Sequence, residues 1–137
     1  MKLCSACLLG LKCRYNGEVK PNEKVTNLAI EEILIPVCPE QMGGLPTPRK
    51  PAEQKNNKII TKDGDDVTFN FMNGAEQVLK IAKLYNIKSA ILKQKSPSCG
   101  CGQIYDGTFS GTIITGDGIT AKLLKENGIK VLTEEDL

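Results

Sequence analysis

The stretch from Asp66 to Lys93 reads DVTFNFMNGAEQVLKIAKLYNIKSAILK. Ala75, Val78, Leu79, Ala82 and Tyr85 recur in it at helical spacing and form one apolar stripe, so a helix opened by Asp66-Val67-Thr68 is expected. Asn86 stands where it can stop that helix in a left-handed conformation. Ser89–Lys93 then forms a short apolar run that reads as a buried strand. A helix leading at once into a buried strand is the signature of a βαβ unit.

The same alternation extends in both directions. Lys2–Cys7 reads as a first strand ending in the loop Leu8–Gly17, and Asn22–Ile33 as a helix with Val25, Leu28, Ala29 and Ile33 at helical spacing. Ile35–Cys38 reads as a second strand, although Pro36 cannot donate to a sheet ladder. Pro39–Lys55 is a long irregular stretch holding four of the seven prolines, and a loop of that length in a compact domain is usually functional or disordered. Lys58–Lys62 is a further short strand. Beyond a second Gly-rich loop, Gly118–Asn127 is a helix with Ile119, Leu123 and Leu124 on one face, stopped by Asn127-Gly128, and Lys130–Leu132 is a last strand. The expected architecture is a single α/β domain over residues 1–137, with a mainly parallel sheet flanked by helices. Ligands of such sheets bind outside the carboxyl ends of the strands.

Composition removes several function classes. The chain has 137 residues and no His, which excludes Ser-His-Asp and Cys-His nucleophile systems and every metal site that uses imidazole. Lys plus Arg number 18 against 16 Asp plus Glu, too even a balance for a nucleic-acid partner, and aromatics at 4% make a poor base-stacking platform for single strands. No apolar run approaches the ~18 residues a membrane span needs. The N-terminal Met1–Cys7 leaves no space for a secretory leader. A cytoplasmic protein with reduced thiols is therefore expected, in which clustered Cys bind metal or do redox chemistry more often than they form disulfides.

Six Cys are the informative residues. Cys7 lies at the end of the first strand, Cys38 at the end of the second, and Cys99 a few residues beyond Ser89–Lys93. A parallel sheet puts those ends on one edge, so the three thiols can converge; the plain alternative makes each Cys a small buried hydrophobe. The surroundings are unusual for structural Cys. Cys38-Pro39-Glu40 precedes Gly43-Gly44-Leu45-Pro46-Thr47-Pro48-Arg49, and Cys99 sits in Ser96-Pro97-Ser98-Cys99-Gly100. Gly and Pro there suggest a fixed loop that lets backbone approach a cofactor closely.

Together with Cys7-Leu8-Leu9-Gly10, Cys13-Arg14-Tyr15-Asn16-Gly17, Asp66-Val67-Thr68, Ile104-Tyr105-Asp106-Gly107-Thr108-Phe109 and Gly118-Ile119-Thr120, these motifs resemble the thiouracil desulfidase family over nearly the whole chain. Each motif alone is weak, and their shared order is specific. The resemblance implies a [4Fe-4S] cluster held by Cys7, Cys38 and Cys99 with one iron left open. It also implies that the acidic residue Glu40 is catalytic, together with a serine of the Ser-Pro-Ser-Cys motif, Ser96 first and Ser98 second. Asn16 stands where the family usually has Asp, and Cys101 where Cys is uncommon; neither touches the implied ligands.

The implied chemistry suits these residue types. Thiolates are standard iron–sulfur ligands, and three of them leave one iron for an external ligand. Sulfide-flanked iron is soft and prefers a thiocarbonyl sulfur to a carbonyl oxygen, opening the carbon to water as a Lewis acid does. Glu40 is placed to position or deprotonate that water. Arg49, Lys93 and Lys95 are candidate cations for balancing the anionic centre, against the plainer reading of solvated surface residues. The expected partner is a small-molecule thiolated pyrimidine base or a related thioamide. The rivals are a non-enzymatic zinc protein using Cys4, Cys7, Cys99 and Cys101, and a thiol–disulfide oxidoreductase built on Cys4 and Cys7. A phosphate site at Gly116-Asp117-Gly118 lacks a full fingerprint and reads better as a helix cap.

Overall fold

The computed structural model describes residues 1–137. Four parallel strands form the central sheet: β1 (Lys2–Ser5), β2 (Leu34–Val37), β5 (Ser89–Leu92) and β8 (Lys130–Thr133), in the spatial order β2-β1-β5-β8. Successive residues alternate between its faces, as the pleat requires. Leu3, Ala90 and Leu92 join Val78, Ala82, Ala121 and Leu124 in one core cluster. Those partners belong to α3 (Thr68–Leu84) and α4 (Ile119–Glu126). Cys4 and Ile91 meet Leu8 and Val25 on the other face, where α1 (Glu23–Glu31) lies. Both faces are covered, so these strands read as near-continuous apolar runs.

The element boundaries shift in ways that matter for the site. The first strand stops at Ser5, and Ala6–Leu9 is a 3₁₀ turn, so Cys7 sits in the turn rather than on the strand. Cys38 likewise lies just past β2 as the N-cap of a short helix, α2 (Pro39–Met42). Pro36 is tolerated because β2 is an edge strand bonded only to β1. Asn22 caps α1, its side chain accepting from the Val25 amide at 3.1 Å. Only Val25 of that helix is fully buried; Ala29 and Ile33 are exposed. Asn86 takes the left-handed conformation at φ 54°. Tyr85, counted in the α3 stripe, lies one residue past the end of that helix and is exposed.

The long irregular stretch and the second Gly-rich loop hold structure that periodicity did not show. Besides α2, the first contains β3 (Ala52–Lys55), paired antiparallel with β4 (Lys58–Thr61). The second contains the hairpin of β6 (Gln103–Tyr105) and β7 (Ile113–Thr115).

Helix α2 packs on α3 through bare backbone. A Cβ on Gly74 would overlap the Pro39 carbonyl, and one on Gly43 the Asn70 carbonyl. Asn70 also donates to the Gly43 carbonyl at 2.9 Å. Gly to Ala inside a helix ordinarily stabilises by ~0.5–1 kcal/mol. Here overpacking, at about 1–3 kcal/mol, wins. The Gly74→Ala protein is expected to melt several degrees below wild type, roughly 2–8 °C for a net loss near 1 kcal/mol. A thermal melt as high as wild type would show that this contact yields at no cost.

Candidate active site

In a sheet of order β2-β1-β5-β8 the chain leaves β1 toward one side and later returns to its other side at β5. The crevice between the loops after β1 and β5 is the topological switch point where such folds bind ligands. Ser5 closes it from beneath, its hydroxyl accepting the Lys93 amide at 2.9 Å.

A cleft of about 580 Å³ opens there, lined by Cys7, Cys13, Cys38, Cys99, Glu40, Arg49, Lys93, Lys95, Ser96 and Ser98 among others. Four thiols thus face one cleft. Cys13 accepts the Cys38 thiol on its backbone carbonyl at 3.9 Å, and its own side chain lines the same cleft. Hydrogen bonding from Cys13 holds the Cys7 thiol below its ordinary value. The same interaction brings Cys38 down to about 6, with help from the Gln41 amide and against partial burial. Cys13 itself is pushed up, because its two neighbours favour its protonated form. Burial pushes the Cys99 thiol up to about 12, while the Ser5 and Ser98 hydroxyls oppose the shift by hydrogen bonding.

Beside the thiols lies a hydrogen-bonded chain of side chains. Arg49 Nε donates to Glu40 Oε1 at 3.2 Å. The rest of its guanidinium is used on Thr47 Oγ1, the Pro46 carbonyl and, at 2.8 Å, the Cys13 carbonyl. Ser98 donates to Glu40 Oε2 at 3.4 Å and lies 3.4 Å from Cys99 Sγ. Ser96 Oγ is 2.9 Å from Ser98 Oγ and accepts the amides of Ser98 and Cys99, both at 3.1 Å. Ser98 is buried whereas Ser96 is only partly so, which puts Ser96 at the open end of the chain.

The candidate cations are more committed than their sequence suggested. Arg49 is the clamp of Glu40. Lys93 pairs with Glu134 at 2.9 Å and Lys95 with Glu135 at 3.8 Å, both in the C-terminal turn after β8. Arg14, which the sequence reading quoted only as part of a motif, lines the cleft and favours the Cys7 thiolate. Its signal was its place next to Cys13 in a Gly-terminated loop.

The rival thiol sites are not assembled. Cys4 is fully buried within β1 against the α1 face, and its pKa is driven up to about 12 by that burial. A thioredoxin-like pair needs an accessible first thiol opening a helix. Cys101 lies outside the cleft, near the Val131 carbonyl and Lys125. No three Cys, Asp or Glu side chains are gathered as ligands of a single metal ion. The amides of Thr120 and Ala121, at the start of α4, are taken by the Ser98 carbonyl at 2.8 and 3.2 Å, which leaves a phosphate little to bind. Gly118 permits this, since a Cβ there would strike the Ser98 carbonyl.

Fold and site together define a class: a parallel α/β protein whose switch-point cleft gathers four cysteine thiols beside a clamped carboxylate and two serines. The 2-thiouracil desulfurase family's sequence model matches residues 3–136, and the chain belongs to that family. An uncharacterized protein of Bacillus subtilis (strain 168), YbbK, is 47% identical over 147 aligned residues, covering 100% of this chain and 97% of its own. The solved structure of the [4Fe-4S]-dependent thiouracil desulfidase TudS superposes with a TM-score of 0.93 at 43% identity, over 99% of this chain and 91% of that one. No helix is long and apolar enough to cross a membrane.

Proposed function

We propose that the chain is a [4Fe-4S]-dependent hydrolase that removes sulfur from thiolated pyrimidine bases, exchanging it for the oxygen of water without net redox change: thiouracil and water give uracil and hydrogen sulfide. The observation that carries this is the meeting of Cys7, Cys38 and Cys99 in one cleft with the Arg49–Glu40–Ser98–Ser96 chain beside them. The donor set suits such a cluster, being soft and free of imidazole. Cys7, Cys38 and Cys99 would hold it, and when bound it supplies an iron open to thiocarbonyl sulfur.

The chain's own residues supply the proton handling. Arg49 fixes one oxygen of Glu40 and leaves the other toward Ser98, so the carboxylate is oriented before substrate arrives. Glu40 accepts a proton from the water that attacks the thiocarbonyl carbon. The linked hydroxyls of Ser98 and Ser96 offer that proton a route back to the departing sulfur. Ser96 is the hydroxyl within reach of the base, and Ser98 the buried link.

The test is anaerobic reconstitution with iron and sulfide, followed by absorption spectroscopy and hydrosulfide measurement with a thiouracil. A broad visible absorption, turnover, and loss of both in air are expected, since an iron exposed to substrate is exposed to oxygen. Stoichiometric zinc persisting through anaerobic purification, with no iron taken up, would replace this reading with the structural zinc protein.

A further inference from the structure

The chain is poor in aromatic residues, with three Tyr, three Phe and no Trp. Tyr15, Tyr105 and Phe109, half of them, line the one cleft. Phe109 is the unusual member. It sits in the loop between β6 and β7 at φ 56°, a conformation that a bulky side chain holds only where its surroundings over-determine it. The surroundings do so. Glu53, on β3, accepts the amides of both Gly107 and Phe109 on one carboxylate oxygen, at 3.0 and 3.1 Å. Asp106 accepts the Thr108 amide at 2.9 Å, and the Thr108, Ser110 and Thr112 hydroxyls are linked in series.

Strand β3 also reaches the reacting side. Gln54, next to Glu53, donates to the Pro97 and Asp117 carbonyls at 3.1 and 2.9 Å. One short strand therefore ties the Phe109 loop and the Ser96–Cys99 loop to each other. A strained aromatic residue held at a set position relative to the serines is suited to receiving a flat ring.

We propose that Phe109, clamped by Glu53, is the wall on which the substrate ring stacks, so that the site selects thiocarbonyls in aromatic heterocycles over open-chain thioamides. This rests on the desulfidase reading for the identity of the ligand, and makes Phe109 a specificity residue and Glu53 a positioning residue. Stacking of a base on an aromatic side chain is sequence-tolerant, because every base presents a π face. The wall therefore accepts differently substituted pyrimidines while rejecting a thioamide that has no ring.

The experiment is equilibrium dialysis of thiouracil against the cluster-loaded protein, with thioacetamide as the open-chain probe and iron content measured in each variant. Phe109→Ala and Phe109→Leu should both weaken thiouracil binding by roughly 10- to 100-fold, and Phe109→Tyr should bind as wild type. Glu53→Ala should weaken binding in the same direction. Glu53→Gln, which keeps an oxygen acceptor, should restore much of it. In turnover the loss should fall on KM, with kcat nearly unchanged. Wild-type affinity in Phe109→Leu would overturn the proposal, because Leu keeps the apolar bulk that a purely structural role needs. An equal loss for thioacetamide, or no thiouracil binding by wild type, would also overturn it. Thiouracil that binds to wild type in a Phe109-dependent way without releasing hydrosulfide would sink the desulfidase reading and leave the wall standing.

Discussion

Replacing Cys7, Cys38 or Cys99 with Ser, one at a time, is expected to remove most of the iron and the broad visible absorption from the anaerobically reconstituted protein. Each change leaves two of three thiolates, and an alkoxide is a poor substitute for a thiolate on soft iron. Turnover should fall to background, the largest effect expected of any single substitution here. Cys101→Ser should keep iron and colour, because Cys101 lies outside the cleft. Cys4 needs a different control. It is fully buried in β1, so a serine there buries a hydroxyl at about 1–3 kcal/mol. Cys4→Ala is the cleaner variant, with iron counted per folded molecule. Cys13→Ser belongs in the series because Cys13 shares the cleft with the three proposed ligands; it should keep its iron. A Cys4 or Cys13 variant as iron-poor as the Cys38 variant would show that the ligand set is wrong.

Glu40→Gln should separate binding from chemistry. Its carboxylate is held by Arg49 on one oxygen and by Ser98 on the other, and neither contact involves a thiol. The amide keeps the size and can still accept from Arg49, so cluster content should stay at wild-type level. It takes no proton at neutral pH. General acid–base catalysis contributes about 10²–10⁴-fold, and hydrosulfide release should drop by that factor. The spectral change on adding a thiouracil should persist, since it depends on the thiolates and the metal. A cluster-loaded Glu40→Gln protein of full activity would take Glu40 out of the mechanism and return the role to Ser96 or Ser98.

Much of the frame was legible because it rests on local periodicity. The stripe of Ala75, Val78 and Ala82 and the run Ser89–Leu92 carry their periods within a few residues, and Asn86 its stop signal within one. The small hairpins were not legible. β3 is Ala-Glu-Gln-Lys and carries no apolar alternation, while β7 exposes all three of its residues. These strands exist because backbone pairing and docking hold them, and neither leaves a mark on side-chain periodicity. Tyr85 and Ile33 were misplaced for a related reason: apolar spacing runs on past Leu84 and Glu31, where the helices end.

By itself the sequence determined the parallel α/β frame and put Cys7, Cys38 and Cys99 after three strands whose carboxyl ends share one edge, where the three thiols can converge. Only the tertiary structure decided the rest of the site. Glu40 meets Ser98 across 58 residues of chain, and the Arg49 guanidinium reaches the Cys13 carbonyl across 36. Cys13 joins Cys7 and Cys38 in the cleft and meets the Cys38 thiol through its carbonyl, and Lys93 and Lys95 are taken by Glu134 and Glu135. The physical reason lies in range. Periodicity and turn chemistry act over one or two helical turns, whereas hydrogen bonds and ion pairs form at about 3 Å between whichever side chains the packing brings together.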